Sequence, residues 1–116
     1  MKHTVLLALA AAFACAAPVA AIPATAPPPV ATVHIKDFAY HANAATVHVG
    51  DAVRFVNDDG DAHTVTASDK SFDSGGLDAG ESWTRVFTKP GKYAYFCALH
   101  PYMKAIVVVV PAESRP

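Results

Sequence analysis

The sequence predicts an all-β protein, a Greek-key β-sandwich of seven or eight short strands. Three observations carry this reading. Short segments rich in Val, Ile, Thr, Tyr and Phe recur along the chain, turn signals separate them, and no segment has an apolar repeat of helical length. With 116 residues the chain suffices for one domain. Nine basic against ten acidic residues leave it near neutrality with no basic patch, which argues against nucleic acid as a partner.

The first strand region runs from Val30 to Tyr40, with Val33 and Ile35 on one face and His34 and Lys36 on the other. The chain turns around Asn43. A strand over Thr46–Val49 points Val47 and Val49 inward and His48 outward. Gly50-Asp51 bends the chain into Ala52–Asn57, where Val53 and Phe55 alternate with Arg54. Asn57-Asp58-Asp59-Gly60-Asp61 is a solvated acidic loop by composition. It lacks the spacing and the closing Glu of a calcium loop, and as a charged rim it would steer a basic partner. His63–Ala67 is β-branched and reads as strand. Ser68–Ala79 is loop, anchored by Phe72. In the strand Glu81–Phe87, Trp83, Arg85 and Phe87 share one parity, which implies an edge, a bulge or a half-buried Arg stem. Lys89-Pro90-Gly91 turns into a strand with Tyr93, Tyr95 and Cys97 on one face. Ile106–Val110 is apolar on both faces, as in a buried strand, and Pro111 ends it.

Residues 1–21 read as a secretory signal: Lys2 and His3, an apolar run from Val5 to Phe13 too short to span a bilayer, then small residues. Cleavage fits after Val19-Ala20-Ala21 or Ala14-Cys15-Ala16. Cys15 offers lipid anchoring as an alternative, but Ala12-Phe13-Ala14 lacks the leucine usual before a lipidated cysteine. A Pro/Ala-rich linker over 22–29 follows, then the domain over 30–111 and a tail over 112–116. The expected location is the periplasm, with no membrane span in the mature chain.

With Cys15 removed, Cys97 is the one thiol of an exported protein, where disulfides are the normal use of cysteine. Cys97, His100 and Met103 follow one another at intervals of three in CALHPYM. A thiolate, an imidazole and a thioether on one short loop, with a second imidazole from elsewhere, make up a copper site of the electron-transfer type. Pro101 fixes its own φ and pushes His100 towards extended geometry, so the loop is not expected to continue as helix or strand. His63 is the best second imidazole. His34 and His48 alternate with apolar residues and face solvent, and His41 lies in a loop. The alternative for Met103 is a core residue leading into the last strand. Tyr93 and Tyr95 read as core, while Tyr102 either shields the metal or belongs to a docking surface.

GKYAYFCALHPYMKAIVVVV at 91–110, with VGDAVRFVN and the downstream DAHTVTA, resembles the cupredoxins, the blue (type 1) copper family. The short Cys-x2-His-x2-Met spacing is most similar to the amicyanins, then to plastocyanins and pseudoazurins. The resemblance covers roughly 30–110. It implies one Cu(I)/Cu(II) ion per chain held by His63, Cys97, His100 and Met103. It also implies an electron port at His100 flanked by Leu99, Pro101 and Tyr102. The function implied is one-electron transfer by a monomer between redox proteins, such as a c-type cytochrome and a periplasmic dehydrogenase or oxidase, without enzyme activity. Three positions depart from the pattern: Thr64 where Asn is usual, Leu99 where Pro is usual, and the less apolar Asp61-Ala62 before the first histidine. A copper chaperone or store is the alternative, and a zinc or metal-free sandwich is a third reading.

Overall fold

The computed structural model describes residues 10–12 and 26–112. Most of the secretory segment, Cys15, linker residues 22–25 and tail residues 113–116 lie outside the described residues. Within them the chain forms eight strands: β1 Pro29–Lys36, β2 Ala39–His41, β3 Ala44–His48, β4 Ala52–Asn57, β5 Thr66–Ala67, β6 Ser82–Val86, β7 Gly91–Cys97 and β8 His100–Val110. No helix of the described residues is long and apolar enough to cross a membrane.

The strands make two four-stranded sheets, ordered β2-β1-β4-β6 and β3-β8-β7-β5. β1 runs parallel to β4 and β3 parallel to β8, while the remaining pairs are antiparallel. These parallel pairings join strands distant in sequence. The inward residues follow the expected alternation. Val33, Ile35, Val47, Val53, Phe55, Tyr95, Val107 and Val109 are buried, and Val49 packs against the core from its margin. Phe72 anchors its loop as expected, with its ring against Trp83, Phe87, Tyr93 and Tyr95.

Four local expectations change. The first strand region is not continuous: Asp37 and Phe38 take φ of 52° and 55° and close a two-residue hairpin between β1 and β2. Positive φ at both turn residues is the pattern that matches strand twist, and it is strained for residues with a Cβ. His63–Ala67 is strand only at Thr66–Ala67, with His63 in a single bridge to Leu77. On β8, Ile106, Val108 and Val110 are half-buried rather than enclosed. Finally, β8 starts at His100 and passes through Pro101. The register jumps from Phe96–Lys104 to Cys97–His100, so Pro101 falls in the irregular stretch, where a proline deprives no ladder of its N–H. The Arg85 parity conflict resolves as an edge strand with a half-buried stem: β6 closes its sheet, and the guanidinium lies 5.0 Å from the Phe72 ring centre and 5.8 Å from that of Phe87.

Aromatic rings fill the space between the sheets beneath the site. Tyr95 meets Tyr40 at 4.7 Å and Phe55 at 5.5 Å between ring centres, and Phe55 meets Trp83 at 5.8 Å. The Tyr95 hydroxyl is buried without a hydrogen-bond partner among the described residues, so it bears a desolvation cost with no compensating bond. We expect Tyr95→Phe to stabilise the protein by about 1 kcal/mol, read from the urea midpoint. Tyr40 differs, since its hydroxyl donates to the Thr64 carbonyl; Tyr40→Phe should cost about 1 kcal/mol or more.

Burial raises both phenols above the ordinary tyrosine range. A raised folded value means that the native state holds the proton longer than the unfolded chain. The stability from this difference is complete below the unfolded pKa, near 10, and is lost as pH rises above it. Alkaline unfolding should therefore begin near pH 10 and release these two phenolates cooperatively, which absorbance at 295 nm would follow. Gradual ionisation of every tyrosine ahead of unfolding would contradict it.

Candidate metal centre

One end of the sandwich brings together two segments. Asn57 fastens the first. Its side-chain amide donates to the carbonyls of Asp61 and Leu77, each at 2.8 Å, and its Oδ1 accepts from the Asp59 N–H at 3.0 Å. The backbone of His63 exchanges two bonds with Leu77, at 3.0 and 2.7 Å. The second segment is the turn Ala98-Leu99 between β7 and β8, which sets Cys97 opposite His100.

The side chains of His63, Cys97 and His100 converge, with their donor atoms all within 4.8 Å of one another. Cys97 Sγ lies 3.7 Å from Nδ1 of His63 and 3.7 Å from Nδ1 of His100. First-row metal bonds of roughly 2.3 Å to sulfur and 2.0 Å to nitrogen, opened to about 120°, separate the donor atoms by about 3.7 Å. Both sulfur–nitrogen sides of the triangle therefore have the length that a trigonal metal plane requires. His63 and Cys97 are fully buried and His100 is half-buried. Met103 is buried too, three residues past His100, on the inward side of β8 with Val107 and Val109.

Three of these surroundings were not legible beforehand. The first is Asp59. The loop was expected to be solvated, yet Asp59 is only 8 % exposed, while Asp58 and Asp61 face water. Its Oδ2 meets His63 Nε2 at 2.9 Å and accepts the Phe38 N–H at 3.0 Å; its Oδ1 accepts the Asp37 N–H at 2.8 Å. Burial pushes the Asp59 carboxyl up, but the N–H groups of Phe38 and Asp37 and the His63 side chain outweigh it and hold the group below its ordinary range. A carboxylate accepting from Nε2–H leaves the Nδ1 lone pair of His63 free towards Cys97. Asp59→Ala takes the acceptor from one buried donor, His63 Nε2, and from two part-buried backbone N–H groups, and should cost about 1–3 kcal/mol in the metal-free protein, measured by denaturant unfolding. A cost below about 0.5 kcal/mol would mean that the bonds are not held in solution.

The second is the direction of the Thr64 network. The hydroxyl in place of the usual Asn does tie the segments together. Thr64 Oγ1 accepts the Ala98 N–H at 2.7 Å, and the Thr64 N–H donates to Cys97 Sγ at 3.3 Å. Thr66 Oγ1 donates to the Asp73 carboxylate at 3.1 Å, so the 2.8 Å contact between the hydroxyls runs from Thr64 to Thr66. The third is Phe38, whose ring stands edge-on to both His63 and His100, at 5.1 and 5.0 Å between centres. Neither Asp59 nor Phe38 carries a local signal; both depend on the hairpin tip meeting the 57–63 loop.

Leu99, Pro101 and Tyr102 are exposed beside His100, Leu99 at 55 % and Tyr102 at 70 %. Tyr102 thus lies on the surface, with its ring centre 6.2 Å from that of His100. His34 bonds Asp58 at 2.6 Å and His41 the Lys36 carbonyl at 3.0 Å, both in exposed positions away from the three donors.

A family model, the cupredoxin-like domain, matches residues 5–109. The chain belongs to the cupredoxin family. Among curated relatives, the amicyanin of Paracoccus versutus is 29 % identical over 97 residues, which is 79 % of this chain and 72 % of that protein. Among solved structures, this cupredoxin overlays an amicyanin variant in its Cu(I) form with a TM-score of 0.67 and 27 % identity, over 72 % of this chain and 85 % of that one. It also overlays a copper-containing nitrite reductase of Thermus scotoductus SA-01 with a TM-score of 0.68 and 32 % identity, over 77 % of this chain. This cupredoxin spans only 23 % of the reductase chain. Copper is the cofactor of the cupredoxin, and the trigonal spacing of two imidazoles and a buried thiol fits it.

Proposed function

We propose that this cupredoxin is a mononuclear type 1 copper protein that carries single electrons between redox partners in the periplasm. The donor triangle of His63, Cys97 and His100, with equal sulfur–nitrogen spacings of 3.7 Å, is the observation that carries the reading. Met103 would complete the set as a weak thioether donor. The bound ion supplies a couple between Cu(I) and Cu(II). The protein supplies a rigid frame for it: Asp59 fixes His63, the Thr64 N–H points at the Cys97 sulfur, and Thr64 Oγ1 fixes the turn after Cys97. Donors held in one geometry need little rearrangement when an electron arrives.

His100 is the half-buried member of the triangle and serves as the port. The exposed apolar surface of Leu99, Pro101 and Tyr102 around it suits brief, weak docking to a c-type cytochrome or a periplasmic dehydrogenase or oxidase. Residues 1–21 act as the export signal, 22–29 as linker and 112–116 as tail around the domain over 30–111, and the exported protein works as a monomer. Four protein donors leave no coordination position for a substrate, so the domain is a carrier and not an enzyme.

Electron self-exchange between the Cu(I) and Cu(II) forms, read from NMR line broadening, tests the reading. We expect rapid exchange that slows at least tenfold in Leu99→Lys, because two like-charged patches then face each other. A protein with no reversible one-electron couple, which instead hands its copper to a second metal-binding protein, would be a copper chaperone or store.

A further inference from the structure

We propose that Phe38 is a positioning residue for His100, and that Asp59 holds Phe38 in place. The inference rests on the copper reading above. The two imidazoles are oriented by different means. His63 is fixed by the hydrogen bond from Nε2 to Asp59 at 2.9 Å. His100 has no such bond: its one polar contact among the described residues is Nδ1 to Cys97 Sγ at 3.7 Å, which leaves Nε2 unpartnered there. Its plane is therefore set by packing. The ring nearest to it outside the donor triangle is Phe38, edge-on at 5.0 Å and 89°, while Tyr102 is more distant at 6.2 Å. An edge-to-face contact directs positive ring hydrogens at a π-face and defines an orientation, not merely a volume.

Phe38 stays 37 % exposed and takes φ of 55°, a conformation that bulky residues avoid. An aromatic residue is left incompletely buried at this site and carries backbone strain in it. A glycine would close the same hairpin without strain. The residue is nevertheless clamped there, because both N–H groups of the turn, Asp37 and Phe38, donate to the carboxylate that also holds His63. Asp59 is thus a common anchor for both imidazoles, one through its Nε2 and the other through the Phe38 ring. Strain retained where the surroundings over-determine it is a mark of a working position.

Two variants test this. Phe38→Gly removes the ring and relieves the φ strain, and Phe38→Leu keeps an apolar side chain without a ring. In the metal-free wild-type protein, nuclear Overhauser contacts should join the Phe38 ring to the imidazole protons of both His63 and His100. In Phe38→Gly, three-bond couplings should show the His100 side chain averaging among rotamers while His63 keeps one. After copper loading, Cu(I) should pass to bicinchoninate about tenfold faster from either variant than from wild type, with altered Cu(II) hyperfine splitting. The melting temperature of metal-free Phe38→Gly should not fall, which separates positioning from a merely structural role. A fixed His100 rotamer in Phe38→Gly, or chelator transfer within twofold of wild type, overturns the inference. A wild-type protein that develops no blue copper band overturns the copper reading instead, and the couplings in the metal-free protein still decide the role of Phe38.

Discussion

Cys97→Ser should fold and yet lose the intense visible band that the wild-type protein develops with one equivalent of Cu(II). Cys97 is fully buried and is the one free cysteine among the described residues. Its sulfur occupies the corner of the triangle that both Nδ1 atoms face, at 3.7 Å each. The blue transition needs a soft, deprotonated, covalent sulfur. A serine hydroxyl supplies none of these properties, since it stays protonated at neutral pH and its oxygen is smaller and harder. We expect the band to vanish, the copper hyperfine splitting to widen to that of ordinary Cu(II), and copper affinity to fall by about a hundredfold or more. The fold should survive, because the serine oxygen can still accept from the Thr64 N–H that now meets sulfur at 3.3 Å; the metal-free protein should lose about 1–2 kcal/mol. A Cys97→Ser protein that keeps the blue band would remove sulfur from the proposed site altogether.

The largest effect on stability should come from Phe55→Ala. Phe55 is 0 % exposed and lies on β4, in the centre of its sheet, with its ring against Tyr95 at 5.5 Å and Trp83 at 5.8 Å. Truncation removes buried apolar surface and leaves a cavity that two sheets cannot close, which costs about 3–5 kcal/mol. Domains of this size are stable by about 5–15 kcal/mol in total, so the variant should lie near its unfolding threshold. Urea unfolding followed by circular dichroism and by Trp83, the only tryptophan, would measure the loss. Copper at a hundredfold excess over its dissociation constant should restore about 2.7 kcal/mol through preferential binding to the folded state. A cost below about 1 kcal/mol would show that the rings do not pack against one another in solution.

The donor set and the inward face of β7 within residues 91–110 were legible because their signals are local. Cys97, His100 and Met103 lie within seven consecutive positions, and the alternation of Tyr93, Tyr95 and Cys97 is a property of one strand. The core residues of β1 and β4 were readable for the same reason. His63 was within reach only as the histidine that opens a β-branched run after a loop, and its family likeness supported it. Thr64 offered a hydroxyl on paper, but the side of that hydroxyl that donates became clear only from Asp73 at the far end of the network.

Most strand segments, their inward faces and the type of chemistry that the last loop carries follow from local sequence, because period-two patterns and close spacing need no knowledge of neighbours. The tertiary structure alone decided which carboxylate of the 57–61 loop is buried and what stands over His100. Parallel pairing of β1 with β4 carries the Asp37-Phe38 tip across to a loop about twenty residues further along, where Asp59 accepts both N–H groups of the turn from 22 and 21 positions away. Asp58, Asp59 and Asp61 are chemically alike, and only this long-range pairing places one of them against His63 and leaves the other two in water.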